Sequence, residues 1–218
     1  MIERLLPAGV VSVESFGDAG DEPVFPGEES FVARAVDGRR REFTGARRCA
    51  REALAILGHA PVAIPRGPRG EPVWPAGVIG SITHCRGYRA AAVARAEDAV
   101  SLGIDAEPNG PLPEGVDELV ILPEERDMLN RLRIAAPGVH WDRLLFSAKE
   151  SVFKAWYPLT RRELDFLEAR MGIDAAAGTF TAELRVDGSR LDGGPALARL
   201  TGRFLVSRGI VGTAAVVG

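Results

Sequence analysis

Two lysines near a glutamate are the only lysines among the 27 basic residues of this chain. Lys149 and Lys154 lie on either side of Glu150, and every other basic residue is an arginine. Arginine is a planar fork that stays charged, whereas lysine is a compact point charge on a flexible stem. A site that needs a single ammonium in a tight space would explain both lysines. Chance retention on a solvated helix face is the alternative, because exposed Glu–Lys pairs are common on helices.

Glu150 and Lys154 are one turn apart and therefore share a face of a predicted helix, together with Ser147. A carboxylate and an ammonium on one face suit a phosphate group. The carboxylate can bind a metal ion or take a proton, and the lysine can hold phosphate oxygens.

A second candidate site is the run GIDAE at 103–107. Asp105 and Glu107 are two residues apart on a predicted strand, so both point to one face, and Ile104 and Ala106 point to the core. Adjacent carboxylates repel each other unless a cation or proton lies between them. Magnesium binds one or two protein carboxylates together with phosphate oxygens. An exposed strand end that faces arginines is the alternative.

His84 ends a predicted strand, and such positions often carry site residues; a purely structural histidine is the other interpretation. The arginines are clustered, with six of them within 39–51 and Arg66 and Arg69 shortly after. Their forks suit phosphate monoesters. Nucleic acid is a weaker candidate, because the net charge is −3 and no aromatic residues alternate with these arginines. A solvated helix face is the third interpretation.

The elements around these residues alternate between strands and helices. Apolar residues recur at helical spacing over 43–57, and Gly58 should end that helix. Residues 1–38 are expected to form short strands and loops, and 61–75 a Pro/Gly-rich loop. Further strands are predicted at 78–83, 88–96, 100–107, 171–174, 179–186 and in a hairpin over 203–217. Helices are predicted from Pro123 to about Ile134 and over 139–157, where Pro158 should end the second helix. The class is α+β.

The composition narrows the function classes. No apolar run approaches the length of a membrane span, and the first residues lack the apolar stretch of a secretion signal. The two cysteines form neither a disulfide framework nor a zinc motif, which favours a reduced, cytoplasmic protein. Phosphate-binding glycine loops of the Walker and Rossmann types and the nucleophile elbow are absent from the sequence.

In this order, the motifs resemble those of the larger, pseudo-dimeric 4′-phosphopantetheinyl transferases, in particular the actinobacterial and enterobactin-synthase-associated members. The matching runs are RGPRGEPVWP at 66–75, GSITH at 80–84, GIDAE at 103–107 and FSAKESVFK at 146–154, with RRCAR at 47–51 and VHWDR at 139–143. The resemblance implies two similar α+β halves related by a pseudo-twofold, with the active site in the cleft between them. Residues 1–101 would contact the nucleotide side of coenzyme A, and 102–218 would carry the metal site and the catalytic helix.

The resemblance also implies an activity. The family transfers the 4′-phosphopantetheine arm of coenzyme A to a serine of an acyl or peptidyl carrier protein and releases 3′,5′-ADP. Magnesium, or manganese in its place, would be held by Asp105, Glu107 and Glu150. Glu150, Lys154 and His84 would be catalytic. The expected coenzyme A contacts are Arg39, Arg47, Arg66, Arg69, Ser81, Thr83, His84, Asp105, Lys149 and Lys154.

The partners implied are coenzyme A and, transiently, a carrier protein of fatty-acid, polyketide or nonribosomal-peptide synthesis. No nucleic acid or membrane partner is expected, and one chain that supplies both halves favours a monomer. Two other functions stay open on the sequence. One is a magnesium-dependent hydrolase of nucleotides or diphosphates that uses water as the nucleophile, and the other is a coenzyme A-binding scaffold without turnover.

Overall fold

Two antiparallel sheets divide the chain into successive parts. The computed structural model describes residues 1–17, 20 and 22–218. The first sheet has the order β1-β3-β2 and is formed by β1 (Val11–Phe16), β2 (Val78–Cys85) and β3 (Tyr88–Arg95). Short α1 (Glu29–Val32) and long α2 (Asp37–Ile56) accompany this sheet, and α2 packs on it.

The second sheet follows in the chain and has the order β4-β8-β7-β6-β5. Its strands are β4 (Ser101–Pro108), β5 (Ala169–Asp174), β6 (Thr179–Leu184), β7 (Arg199–Ser207) and β8 (Ile210–Val217). Its helices are α3 (Val116–Val120), α4 (Pro123–Ala135) and α5 (Trp141–Thr160), and α5 packs across β4 and β8. The predicted α+β class with two sheet-and-helix halves is confirmed. The boundary predicted between residues 101 and 102 lies at the first residues of β4.

The spacing of apolar residues in the sequence explains why α2 is a helix. Ala46, Ala50 and Ala53 are fully buried, and Ala50 and Ala53 pack in one apolar cluster with Ala91 and Val93 of the first sheet. Gly58 has a positive φ of 92°, which closes the helix because glycine adopts the left-handed region without steric cost. The helix starts before the predicted residue 43, with Asp37 in its first turn, where a carboxylate suits the helix dipole.

Helix α5 does not end at Pro158, so that prediction was wrong. The helix continues to Thr160, and Arg161 follows in the left-handed region. A proline has no N–H to donate to the carbonyl four residues earlier, so the helix loses one hydrogen bond at this turn. Leu159 and Thr160 are buried, so their packing stabilises the turn beyond the proline.

The expectation for residues 1–38 was partly wrong, because this segment contains helical turns as well as one strand. A 3-10 helix spans Ile2–Leu5 before β1, and α1 follows after it. A second 3-10 helix, Phe166–Glu168, follows α5. Positions 18, 19 and 21 of that first segment lie outside the described residues.

Strand β4 lies where the two sheets meet. One of its edges pairs with β8, and the other faces β2. Ile104 and Ala106 point into an apolar cluster that includes Tyr88 of the first sheet, so the alternation predicted for this strand is confirmed. Asp105 therefore lies on the opposite face, toward α5.

Candidate active site

A cleft of about 670 Å³ lies between the two halves. The first half contributes α2, the 66–74 loop and β2, and the second half contributes α5 and Arg161. Predicted site residues that line it are Arg39, Arg47, Arg66, Arg69, Ser81, His84, Glu150 and Lys154. Thr83, Asp105, Glu107 and Lys149 do not line this cleft in the described structure.

Arginines make the first-half wall of the cleft positive. Arg47 is buried, lies over the Phe43 ring at 3.7 Å and donates from Nε to the carbonyl of Ile64 at 3.3 Å. Burial, with Arg66 nearby, lowers the pKa of Arg47 to about 10, although Glu28 opposes the shift. The guanidinium stays charged at neutral pH, and an anionic ligand would relieve the repulsion between these arginines.

His84 is a neutral histidine beside cations. Burial, followed by the charge of Arg39, lowers its pKa to about 4, and Lys154 and Arg47 add to this shift. Glu42 opposes it, with an oxygen 3.9 Å from Nδ1. His84 can therefore donate one N–H to a phosphate at neutral pH without carrying a charge of its own.

Lys154 and Asp105 connect α5 to β4. The ammonium donates to Oδ1 of Asp105 at 2.7 Å and to the carbonyl of Ile104 at 3.1 Å. Burial opposes the ammonium charge, but Asp105 and Glu150 raise the pKa of Lys154 above its usual value. Within the described residues, Oδ2 of Asp105 is buried and has no hydrogen-bond partner. That oxygen is free to accept a ligand.

Glu107 shares the face of Asp105, as the strand alternation predicts. Burial, followed by the charge of Asp105, raises the pKa of Glu107 to about 7. Arg143 opposes this shift from α5, with Nη1 at 3.1 Å from a carboxylate oxygen. Arg143 also donates to the carbonyls of Gly110 and Pro111. It lies in the matched run 139–143, but the sequence assigned it no role.

Glu150 lies between the large cleft and a second cavity of about 150 Å³, and it lines both together with Phe153. Burial raises the pKa of Glu150, with Asp105 adding to the shift and Lys154 opposing it. A carboxylate with a raised pKa is a better proton acceptor than an ordinary one, because a general base works best when its pKa lies near the operating pH.

Lys149, for which the sequence predicts a phosphate-binding role, has a buried ammonium whose three donors are all occupied by protein groups. It donates to the carbonyls of Val120 and Phe166 at 2.8 and 2.9 Å and to Oε2 of Glu125 at 2.9 Å. Glu125 in turn accepts from the amide of Met171 at 2.7 Å. This network connects α5 to α3, α4 and β5, and Lys149 is one of the residues that line the smaller cavity.

Ser81 and Thr83 of β2 accept hydrogen bonds from β4, and this contact between β2 and β4 forms the seam between the two sheets. Ser81 Oγ accepts from the amide of Ile104 at 3.1 Å, and Thr83 Oγ1 accepts from the amide of Ala106 at 3.0 Å. Both side chains are buried. Ser81 still lines the cleft, but Thr83 contacts Asp105 and does not line the cleft.

The carboxylates fit a divalent cation by their chemistry. Oxygen ligands suit magnesium, and Oδ2 of Asp105 is a buried acceptor without a partner in the described structure. Among the residues described, no group of three His, Cys, Asp or Glu side chains is already arranged around a common point. Oδ1 of Asp105 and the carboxylate of Glu107 are instead paired with Lys154 and Arg143.

Two ion pairs across the cleft were not predicted. Arg161 Nη1 lies 2.7 Å from Glu71, and Arg69 pairs with Glu163. Both pairs connect the 66–71 loop to the segment that follows α5. Their partners are about 90 residues apart in the chain, so no local pattern could identify them.

Comparisons with known proteins match both halves. A family model described as 4′-phosphopantetheinyl transferase N-terminal domain matches residues 27–94, and one described as 4′-phosphopantetheinyl transferase superfamily matches residues 101–190. The chain is 57% identical to 4′-phosphopantetheinyl transferase Svp of Streptomyces mobaraensis over 100% of this chain and 89% of that protein. It is 51% identical to 4′-phosphopantetheinyl transferase Npt of Nocardia iowensis (98% of each chain) and 44% identical to 4′-phosphopantetheinyl transferase PptT of Mycobacterium tuberculosis (100% of this chain, 98% of that protein).

Proposed function

Because the chain belongs to the 4′-phosphopantetheinyl transferase superfamily, we propose that it transfers the 4′-phosphopantetheine group of coenzyme A to a serine of a carrier protein, with release of 3′,5′-ADP and dependence on magnesium or manganese. One observation carries the proposal. Arginines of the first half and the Glu150–Lys154 face of the second half line one cleft. Such a cleft can hold an anionic nucleotide at one end and support proton and phosphoryl transfer at the other.

The arginine wall suits the nucleotide end of coenzyme A. Arg39, Arg47 and Arg66 offer guanidinium forks that match a phosphate monoester. Burial is the main cause that lowers the pKa of Arg47, and repulsion from Arg66 adds to it. A negatively charged ligand would relieve this repulsion. His84 would add a neutral N–H donor beside them.

The second-half wall suits the chemical step. The carrier serine oxygen attacks the phosphorus that bears pantetheine, and the bond from this phosphorus to the bridging oxygen of 3′,5′-ADP breaks. Glu150 takes the serine proton, directly or through a water, and its raised pKa favours this role. Lys154 keeps its positive charge and offsets the negative charge that grows on the 5′-phosphate of the departing 3′,5′-ADP.

A divalent cation would be held by Asp105, Glu107 and Glu150. When bound, it neutralises charge on the diphosphate and orients its oxygens. The unpartnered Oδ2 of Asp105 supports this assignment. The carboxylate of Glu107 has to leave Arg143, or share it, to contribute.

The test is the intact mass of an apo acyl or peptidyl carrier protein after incubation with this protein, coenzyme A and magnesium. We expect the carrier to gain one phosphopantetheine, and we expect the gain to disappear with EDTA and with Glu150→Gln. Nucleotide products are measured in the same samples, and 3′,5′-ADP should appear in equal amount.

Other outcomes would support the rival functions. Loss of coenzyme A without any modified carrier would favour hydrolysis. Binding of coenzyme A without modification of fatty-acid, polyketide and nonribosomal-peptide carriers would favour a scaffold.

The remaining expectations stay predictions. No helix among the described residues combines the length and the apolar character that crossing a membrane requires. The cytoplasmic location, the monomeric state and the class of carrier protein belong to this group, and each is tested by a separate measurement.

A further inference from the structure

Thr83 makes two hydrogen bonds that meet at Asp105. Its hydroxyl accepts from the amide of Ala106 at 3.0 Å and donates to Oδ1 of Asp105 at 3.3 Å. The side chain is buried at the seam between β2 and β4 and does not line the cleft. Thr83 is therefore in contact with the carboxylate and not with the space where a ligand would bind.

The two bonds depend on each other. A hydroxyl has one proton to donate and two lone pairs that accept. Because the Ala106 amide occupies an acceptor site, the geometry directs the single proton toward a neighbouring acceptor, and Oδ1 of Asp105 is that acceptor. Lys154 approaches the same oxygen at 2.7 Å. Both donors thus converge on Oδ1 and leave Oδ2 without a partner in the described structure.

We propose that Thr83 is a positioning residue that holds Oδ1 of Asp105 against the β2–β4 seam and so presents Oδ2 to a divalent cation. The proposal rests on the proposed function, because it concerns the cation that the transfer requires. A carboxylate held by one donor alone can rotate about its terminal bond, whereas two donors on one oxygen fix its plane. The role differs from the contact with coenzyme A that the sequence suggested for Thr83.

Ser81 provides a matched comparison two residues earlier on β2. Its hydroxyl accepts from the amide of Ile104 at 3.1 Å, as Thr83 accepts from the amide of Ala106. Asp105 is hydrogen-bonded by Thr83 and not by Ser81. Loss of either hydroxyl should therefore weaken the seam, but only loss of the Thr83 hydroxyl should alter the carboxylate.

The experiment compares how tightly the full chain and its variants bind Mn²⁺ when coenzyme A is present. Free Mn²⁺ is measured by its electron paramagnetic resonance signal. Thr83→Val keeps the shape of the side chain and removes the hydroxyl. We expect its dissociation constant for Mn²⁺ to rise about 10-fold, the low end of the loss typical of partners that orient metal ligands. Thr83→Ser, which keeps both hydrogen bonds, should remain within about twofold of the wild type, since its hydroxyl is equivalent.

Thermal unfolding and steady-state kinetics separate positioning from a merely structural role. Thr83→Val and Ser81→Ala should lower the melting temperature to a similar extent, because each leaves one buried amide without its acceptor. At saturating coenzyme A, Thr83→Val should raise the Mn²⁺ concentration needed for half-maximal transfer more than Ser81→Ala does. If Thr83→Val does not fold, Thr83→Cys replaces it, because a thiol of similar size donates and accepts weakly.

The outcomes distinguish this inference from the proposed function. Suppose that the enzyme transfers phosphopantetheine and that the dissociation constant for Mn²⁺ is the same in the wild type, Thr83→Val and Thr83→Cys. This result would overturn the positioning role alone. So would an equal loss of Mn²⁺ affinity in Ser81→Ala, since seam stability would then explain the effect. A wild-type protein that modifies no carrier would overturn the proposed function, and this inference with it.

Discussion

Lys154 of α5 donates to Oδ1 of Asp105 on β4 at 2.7 Å, and the second oxygen of that carboxylate is buried without a partner in the described part of the chain. The ammonium also bonds the carbonyl of Ile104 next to it. A compact charge can approach both acceptors at once, which gives a physical reason for a lysine in a chain otherwise rich in arginine.

Lys154→Arg should strongly reduce transfer. A planar guanidinium is larger than an ammonium and cannot occupy the same space against Ile104 and Asp105 without displacing the carboxylate. We expect the turnover number to fall about 10²-fold, comparable to the loss of one preorganised charge-stabilising group. The measurement is the steady-state rate of carrier modification at saturating coenzyme A.

Lys154→Met serves as the reference for complete loss of the charge. Lys154→Arg should be intermediate between the wild type and this reference. A fully active Lys154→Arg would mean that the compact ammonium is not required, and that retention of a lysine at this position was coincidence.

Gly103→Ala should separate α5 from β4. A Cβ at this position would lie 2.0 Å from the carbonyl oxygen of Ser151 and 2.6 Å from the amide nitrogen of Ala155, both in the α5 backbone. Backbone atoms cannot rotate away as side chains can, so the helix has to shift. We expect a loss of about 2 kcal/mol or more in the free energy of unfolding, at the upper end of overpacking costs.

The matched control is Gly38→Ala, which also adds one methyl group to a glycine. Position 38 lies in the first turn of α2, and a Cβ there would meet no atom within 4 Å. Alanine should leave stability unchanged or raise it, by about 0.5–1 kcal/mol. Urea denaturation of both variants checks the contrast, and an equal effect at the two positions would contradict the close packing of α5 on β4.

Local rules of sequence explain much of this fold and the identity of the candidate site. The alternation around Asp105, the proline that opens α4 and the glycine after α2 act within a few residues, so a pattern can reveal them. Lys149 and Thr83 differ, because their partners are brought to them by packing of distant elements. Lys149 precedes Glu150 in the motif, yet its ammonium points to Glu125 and away from the cleft.

Lys149→Met should destabilise the protein without removing a cleft residue. The substitution leaves Glu125 as a buried charge that has lost its partner, which typically costs about 3–5 kcal/mol. Lys149→Met combined with Glu125→Gln should recover part of this loss. The neutral amide oxygen can still accept from Met171 or Leu122, which now donate to the carboxylate.

An exposed ion pair provides the comparison for the buried one. Arg170 and Glu183 lie 2.9 Å apart with about half of each side chain exposed. Arg170→Met should change the unfolding free energy by less than about 1 kcal/mol, as expected for a surface pair. Unfolding of all these variants by urea tests the ranking. An effect of Lys149→Met no larger than that of Arg170→Met would show that the buried network does not stabilise the fold.

His84 should make the folded state less stable in acid. Burial and the neighbouring arginines lower its pKa from 6.5 to about 4 in the folded state. Between these values the unfolded state binds more protons, so the contribution of His84 is complete above pH 6.5 and is lost as the pH falls toward 4. The His84→Gln variant lacks this pH-dependent contribution. The difference in unfolding free energy between the variant and the wild type should therefore be roughly 2 kcal/mol more favourable to the variant at pH 4.5 than at pH 7.5.

Glu107 should act in the opposite direction, and the pair of variants gives the sharpest check on both signs. Its pKa is raised from 4.5 to about 7, so the folded state binds the extra proton. Its contribution to stability is therefore complete below pH 4.5 and is lost as the pH rises through 7. The Glu107→Gln variant should lose the decrease in unfolding free energy that Glu107 causes as the pH rises. The His84→Gln variant should keep that decrease and lose the increase that His84 causes. Urea unfolding from pH 4.5 to 7.5 measures both, and two variants with parallel pH profiles would contradict the opposed shifts.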